Sequence, residues 1–71
     1  MADYYPLIAK AVTGLDTQDR RALYQRGRDA LLAELRAVNP PLSEQVIMDE
    51  RIAFEKAIRR IESEAAHRTA E

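Results

Sequence analysis

Apolar side chains recur along this chain at steps of three and four, in three runs separated by two short polar breaks. The first run puts Tyr4, Ile8, Ala11, Val12 and Leu15 in register, and the second Tyr24, Arg28, Leu31, Leu35 and Val38. The third is the longest, through Ile47, Arg51, Phe54, Ile58, Ile61 and Ala65. Steps of three and four keep a stripe on one side of a 3.6-residue helix, whereas a strand would need strict alternation. The pattern predicts three helices, at about 5–13, 17–38 and 44–66.

The breaks carry the chemistry that ends and starts helices. In "TGLDT" (13–17), Gly14 suits a left-handed cap, and Asp16 or Thr17 offers an oxygen to the free amides of the next turn. In "VNPPLS" (38–43), Asn39 precedes a proline and is pushed out of helical space, while Ser43 is a good N-cap. Leu42 and Ile47 stand where a hydrophobic staple would place them, and Glu44 favours the positive end of the helix dipole. At the amino end, Asp3 caps a helix that takes Pro6 into its first turn, where a missing amide costs little. Short loops make successive helices antiparallel neighbours. The expected fold class is therefore all-α, a short first helix packed on a long antiparallel helical hairpin within a single domain, 1–71. Its expected core is Ile8, Val12, Leu15, Tyr24, Leu31, Leu35, Val38, Ile47, Phe54, Ile58 and Ile61.

Leu7, Leu32, Met48 and Ile52 are among the apolar residues that fall off these stripes. On a wheel at about 100° per residue, Met48 and Ile52 lie roughly 100–140° from the centre of their helix's stripe. One hairpin cannot hide them all, and a surplus of this kind marks a partner. Tyr4 and Tyr5 add two amphipathic rings near the amino terminus. The expected contact set is Tyr4, Tyr5, Leu7, Leu32, Met48 and Ile52, and the expected partner is a second copy, giving a homodimer, or another helical protein.

Gly27 is out of place inside a helix, at a cost of roughly 1 kcal/mol against alanine. It lies about 40° from the second stripe, so its missing side chain would admit a close backbone, that of helix one or of a second copy. Arg28 and Arg51 interrupt otherwise apolar stripes. Their stems are expected to pack on the seam with the heads in water or paired to Glu34, Glu50 or Glu55; the alternative is a seam cation that sets register.

Composition narrows the function classes. Seventy-one residues with no cysteine allow neither disulfide nor thiolate metal site, and fit a reducing compartment. With 46% hydrophobic and 32% charged residues the chain is globular in balance. No apolar run approaches the roughly 20 residues of a membrane span. The opening "MADYYPLIAK" lacks the basic start of a secretory signal. The expectation is a cytoplasmic protein without membrane insertion.

The segment "RRALYQRGR" (20–28) raises nucleic-acid binding as an alternative. Its arginines do not share a helix face, however, and Asp16, Asp19 and Asp29 interleave with them. The whole chain carries a net charge of −1, which disfavours a polyanion binder. No Glu-x-x-His pair, glycine-rich phosphate loop, serine elbow or zinc spacing occurs, and His67 has no neighbouring nucleophile. Neither catalytic residues nor a metal or cofactor site is expected.

Taken together, "DYYPLIAKAVTGL", "RRALYQRGRDALLAELRAVNPPLSE" and "ERIAFEKAIRRIESEAA" resemble an N-terminal helical segment of uncharacterised alphaproteobacterial proteins, some labelled histidine kinases. The likeness covers nearly the whole chain. It implies a bacterial, cytoplasmic helical leader of the kind followed by a proline-rich linker and membrane helices, and it supplies no catalytic residues. By that likeness the chain is either a stand-alone version or an excerpt, and a regulatory domain of a larger membrane-associated signalling protein is a further alternative.

Overall fold

The computed structural model describes residues 3–70, with side chains through residue 67. Three helices follow in order: α1 (Tyr5–Val12), α2 (Thr17–Arg36) and α3 (Glu44–Ala70). Helices α2 and α3 start as the local chemistry predicts, whereas α1 has Tyr4 at its N-cap with no side-chain cap bond, one residue after the expected Asp3. Asp3 Oδ1 accepts from Tyr5 N at 3.1 Å, Asp16 Oδ1 from Asp19 N at 2.8 Å, and Ser43 Oγ from Val46 N at 3.2 Å. Gly14, at φ 82°, takes the left-handed turn between α1 and α2. The Asn39–Pro40 peptide bond in the second loop is cis.

Two boundaries differ from the periodicity. Helix α2 ends at Arg36, where the Ala37 amide donates to both Ala33 O and Glu34 O. Val38, expected in the core, is therefore outside the helix and 42% exposed. Its place in the 3–4 pattern was sound, but the loop turns away before the stripe reaches it. Helix α3 continues through Ala70, past the expected end near Ala66, and takes in His67; Glu71 lies outside the described residues. Nothing in "HRTA" breaks a helix, so the frame persists.

Helices α1 and α2 both pack chiefly on α3, making it the central element. Helix α2 runs antiparallel to it, Arg20 meeting Glu62 at one end of the seam and Arg28 meeting Glu55 further along. Helix α1 runs in the same direction as α3, from Tyr4 beside Phe54 to Val12 near Ile61 and Ala65. The bundle measures 48 × 18 × 15 Å. Its core joins Ile8, Val12, Tyr24, Phe54, Ala57, Ile58 and Ile61, with Leu15 and Leu31 half-buried against it. Leu35 is half-buried, and Ile47 is buried apart from this cluster, toward the α2–α3 loop. Ala57 belongs to the core although it is not among the expected core residues; it stands three residues after Phe54 and four before Ile61, in register with both.

Gly27 marks a close approach, but the neighbour is α3. A Cβ at Gly27 would stand 2.8 Å from Phe54 Cζ. The ring of Phe54 fills the space a side chain would need, and so offsets the intrinsic cost of glycine in a helix.

Candidate interaction surface

Along the α2–α3 seam the polar groups are consumed by one another. Glu62 accepts from Arg20 Nε at 2.8 Å, from Arg20 Nη2 at 3.3 Å and from the Tyr24 hydroxyl at 2.6 Å, while Arg20 Nη1 donates to Leu15 O. The Arg20 guanidinium holds the Glu62 carboxyl below its usual range. Burial first, and then the bond to Glu62, push the Tyr24 phenol up to about 12. Arg28 grips Glu55 through both ends of the guanidinium, at 2.7 and 2.9 Å, and lowers that carboxyl's pKa in turn. Arg28 therefore behaves as its place in the stripe predicts, with the head paired to Glu55. Arg51 is exposed.

The two tyrosines of the expected contact set are engaged inside the fold. Tyr4 packs edge-on against Phe54 with ring centroids 5.5 Å apart, and its hydroxyl donates to Glu50. Tyr5 donates to Glu64 Oε1 at 2.5 Å and carries Arg60 Cζ 3.9 Å above its ring. Both rings are half-buried against the core. Sequence spacing could not foresee this, because the partners lie 46 and 59 residues away.

The off-stripe aliphatics behave differently. Leu32, Met48 and Ile52 come together in one open groove of about 640 Å³ between α2 and α3. Phe54 and Leu31 reach it from the core side, so the concavity is apolar at its base. Met48 is 50% and Ile52 45% exposed. Leu7, the sixth member of the expected set, is 71% exposed on α1 and does not line the groove.

The rim is charged. Arg28, Arg51, Lys56 and Arg59 stand against Asp29 and Glu55, four cations to two carboxylates. Arg51 and Arg59 act on Glu55 through space, adding to the pull of the bonded Arg28. Lys56 and Arg59 were not singled out in the sequence. The signal was there, since Arg59 follows Ile52 by seven and Glu55 by four, on one face of the helix.

The arginine-rich segment that raised nucleic-acid binding does not form a convergent patch. Arg20 and Arg28 are spent on Glu62 and Glu55, and Arg21 and Arg26 are exposed on separate faces of α2. Among the described residues no group of three or more His, Cys, Asp or Glu side chains is placed to hold a metal ion. Among the same residues no helix is long and apolar enough to cross a membrane.

No family model, curated protein or solved structure matches this chain. Its own surfaces are therefore the ground for a functional assignment.

Proposed function

We propose that this chain is a small non-enzymatic helical module that works by protein–protein contact, and that the α2–α3 groove is its contact face. One observation carries the reading: the off-stripe aliphatics Leu32, Met48 and Ile52, scattered along the sequence, gather in a single concave surface. Their burial against a partner supplies the driving force, at about 25 cal/mol per Å² of apolar surface removed from water. Titratable groups elsewhere are paired along the seam rather than opposed across a cleft, which leaves little basis for acid–base catalysis. The nucleic-acid alternative has weaker support, because two of its four arginines are already neutralised within the fold. A cytoplasmic location fits the absence of cysteine, and the regulatory role implied by the resemblance is compatible with the same contact face.

The test is association through the groove, whatever the partner. Sedimentation equilibrium at micromolar concentration reads self-association. Titration with amphipathic helical peptides bearing either charge reads hetero-association. The reading expects one of the two, weakened by Met48→Asp with helicity unchanged. An 8.1 kDa monomer that binds no peptide of either charge would sink it.

A further inference from the structure

Resting on that reading, we infer that the groove takes a single amphipathic helix with acidic flanks from another protein, rather than a second copy of this chain. Three observations converge on this occupant.

The first is charge. Four rim cations face two rim carboxylates, an excess of two positive charges. The chain as a whole has eleven bases and twelve acids, so the remainder holds seven bases and ten acids. The groove is thus an electropositive island on an acidic molecule. Among the described residues Arg51, Lys56 and Arg59 make no direct ion pair, and their exposed heads can meet carboxylates arriving on a ligand while Arg51 and Arg59 also act on Glu55 through space.

The second is size. From Met48 to Arg59 the α3 wall runs about 17 Å at 1.5 Å per residue. That is three turns of a helix, with room for apolar anchors at i, i+3 or i+4, and i+7.

The third is the fit of the alternatives. A symmetric dimer through this face sets one electropositive rim against another. A head-to-tail contact would need a spare apolar stripe elsewhere on the copy. Among the described residues the large apolar side chains exposed outside the groove are Leu7, Val38 and Val46, on α1, in the loop and at the start of α3, and they do not make one helical stripe. An incoming helix would instead stand to the α2–α3 hairpin as α1 does on the other flank of α3, completing a four-helix arrangement. A membrane surface fits less well, since the base of the groove recedes between two helices instead of protruding.

The experiment titrates the full chain with three synthetic peptides by calorimetry. One is an amphipathic helix with leucines at i, i+3, i+4 and i+7 flanked by glutamates, one carries lysines in place of the glutamates, and one scrambles the first. The expected result is binding of the glutamate-flanked helix, with the lysine-flanked and scrambled peptides roughly tenfold or more weaker. Met48→Asp, and Ile52→Ser as a second variant, should each weaken binding roughly tenfold with unchanged circular dichroism. The double variant Arg51→Glu with Arg59→Glu should reverse the charge preference. Equal binding of both flanked helices would overturn the inference yet leave the contact-face reading standing, as would a stable dimer that ignores all three peptides. Equal binding of the scrambled peptide, or binding to phosphatidylglycerol vesicles that Met48→Asp abolishes in place of peptide binding, would overturn it as well. Silence in every arm from a monomeric protein would remove the inference and the contact-face reading together.

Discussion

On the flank of α3 that receives α1, Ala57, Ile58 and Ile61 are buried, and the Tyr4 and Tyr5 hydroxyls end on Glu50 and Glu64. On the flank turned away from α1, Met48 and Ile52 remain about half exposed beside a rim of cations. Both flanks belong to one helix, and α2 contributes apolar residues to each. The difference lies in the third helix. A two-helix seam shields only what faces directly across it, and side chains displaced by about 100° stay wet until another element covers them. Helix α1 has eight residues, about 12 Å of cover at 1.5 Å per residue, and it is spent on one side. The groove is what that side would look like without it.

The largest effect that separates the flanks comes from placing a charge on each. Ile58→Asp buries a carboxylate where the side chain is 6% exposed, at a cost of about 4 kcal/mol or more, enough to unfold a domain this small. Circular dichroism should show the helicity lost. Met48→Asp puts the same charge on the open flank and should shift the urea midpoint little, within about 0.5 kcal/mol. Equal loss in both variants would break the comparison.

Next in size is Gly27→Ala. The new methyl collides with the buried Phe54 ring at 2.8 Å, and overpacking of this kind costs about 1–3 kcal/mol. The gain in helix propensity, about 1 kcal/mol, offsets part of it, so chemical denaturation should report a net loss of about 1 kcal/mol. Adding Phe54→Leu should lessen the collision specifically, so the loss caused by alanine at 27 should shrink in that background.

A similar loss, about 1 kcal/mol, is expected for Tyr24→Phe, which removes a donor to Glu62 from a residue only 3% exposed. The same group titrates in a stated direction. Its folded pKa is raised from 10.0 to about 12, so its contribution is complete below pH 10 and is lost as pH climbs from there toward 12. Tyr24→Phe should flatten that alkaline limb in a urea series.

The acid limb is smaller and runs the other way. Glu62 and Glu55 have folded pKa values below the ordinary 4.5. Their contribution is present above that value and disappears as pH falls through the folded ones. Both pairs are partly solvated, with side-chain exposures of 15% and 35% for Arg20 and Glu62, and 39% and 45% for Arg28 and Glu55. Exposed pairs contribute at most about 1 kcal/mol. Glu62→Gln should therefore flatten the acid limb more than Glu55→Gln. The reverse order would mean that shielding does not set the strength of these pairs.

The parts of this fold that were legible early are local. Ser43 and Asp16 cap the helices they were expected to cap, because a hydroxyl or carboxylate three residues before an amide needs no distant partner. Ile8, Phe54, Ile58 and Ile61 are buried because a period near 3.6 places them on one side of any helix they join. The misreadings are where distant residues take over. Amphipathic character places Tyr4 and Tyr5 on a partner's surface, yet carboxylates on α3 engage both hydroxyls, Glu50 at a part-buried position and Glu64 at an exposed one. Val38 obeyed the stripe, but a chain turn one residue earlier outweighed it. Gly27 points to a close backbone of helix one or of a second copy, whereas the neighbour is the Phe54 ring of α3.

Periodicity and break residues by themselves determined three helices, their stripes and a surplus of aliphatics. Those properties follow from steric and hydrogen-bond rules acting over a few residues. Only the tertiary structure decided which flank of α3 received α1, and hence that Leu32, Met48 and Ile52 stay open beside Arg51 and Arg59. The short turn around Gly14 allows the first helix to reach the hairpin without naming a side. The choice is made by contacts between residues far apart in the chain, such as Tyr4 with Glu50 and Tyr5 with Glu64, and no local spacing encodes them.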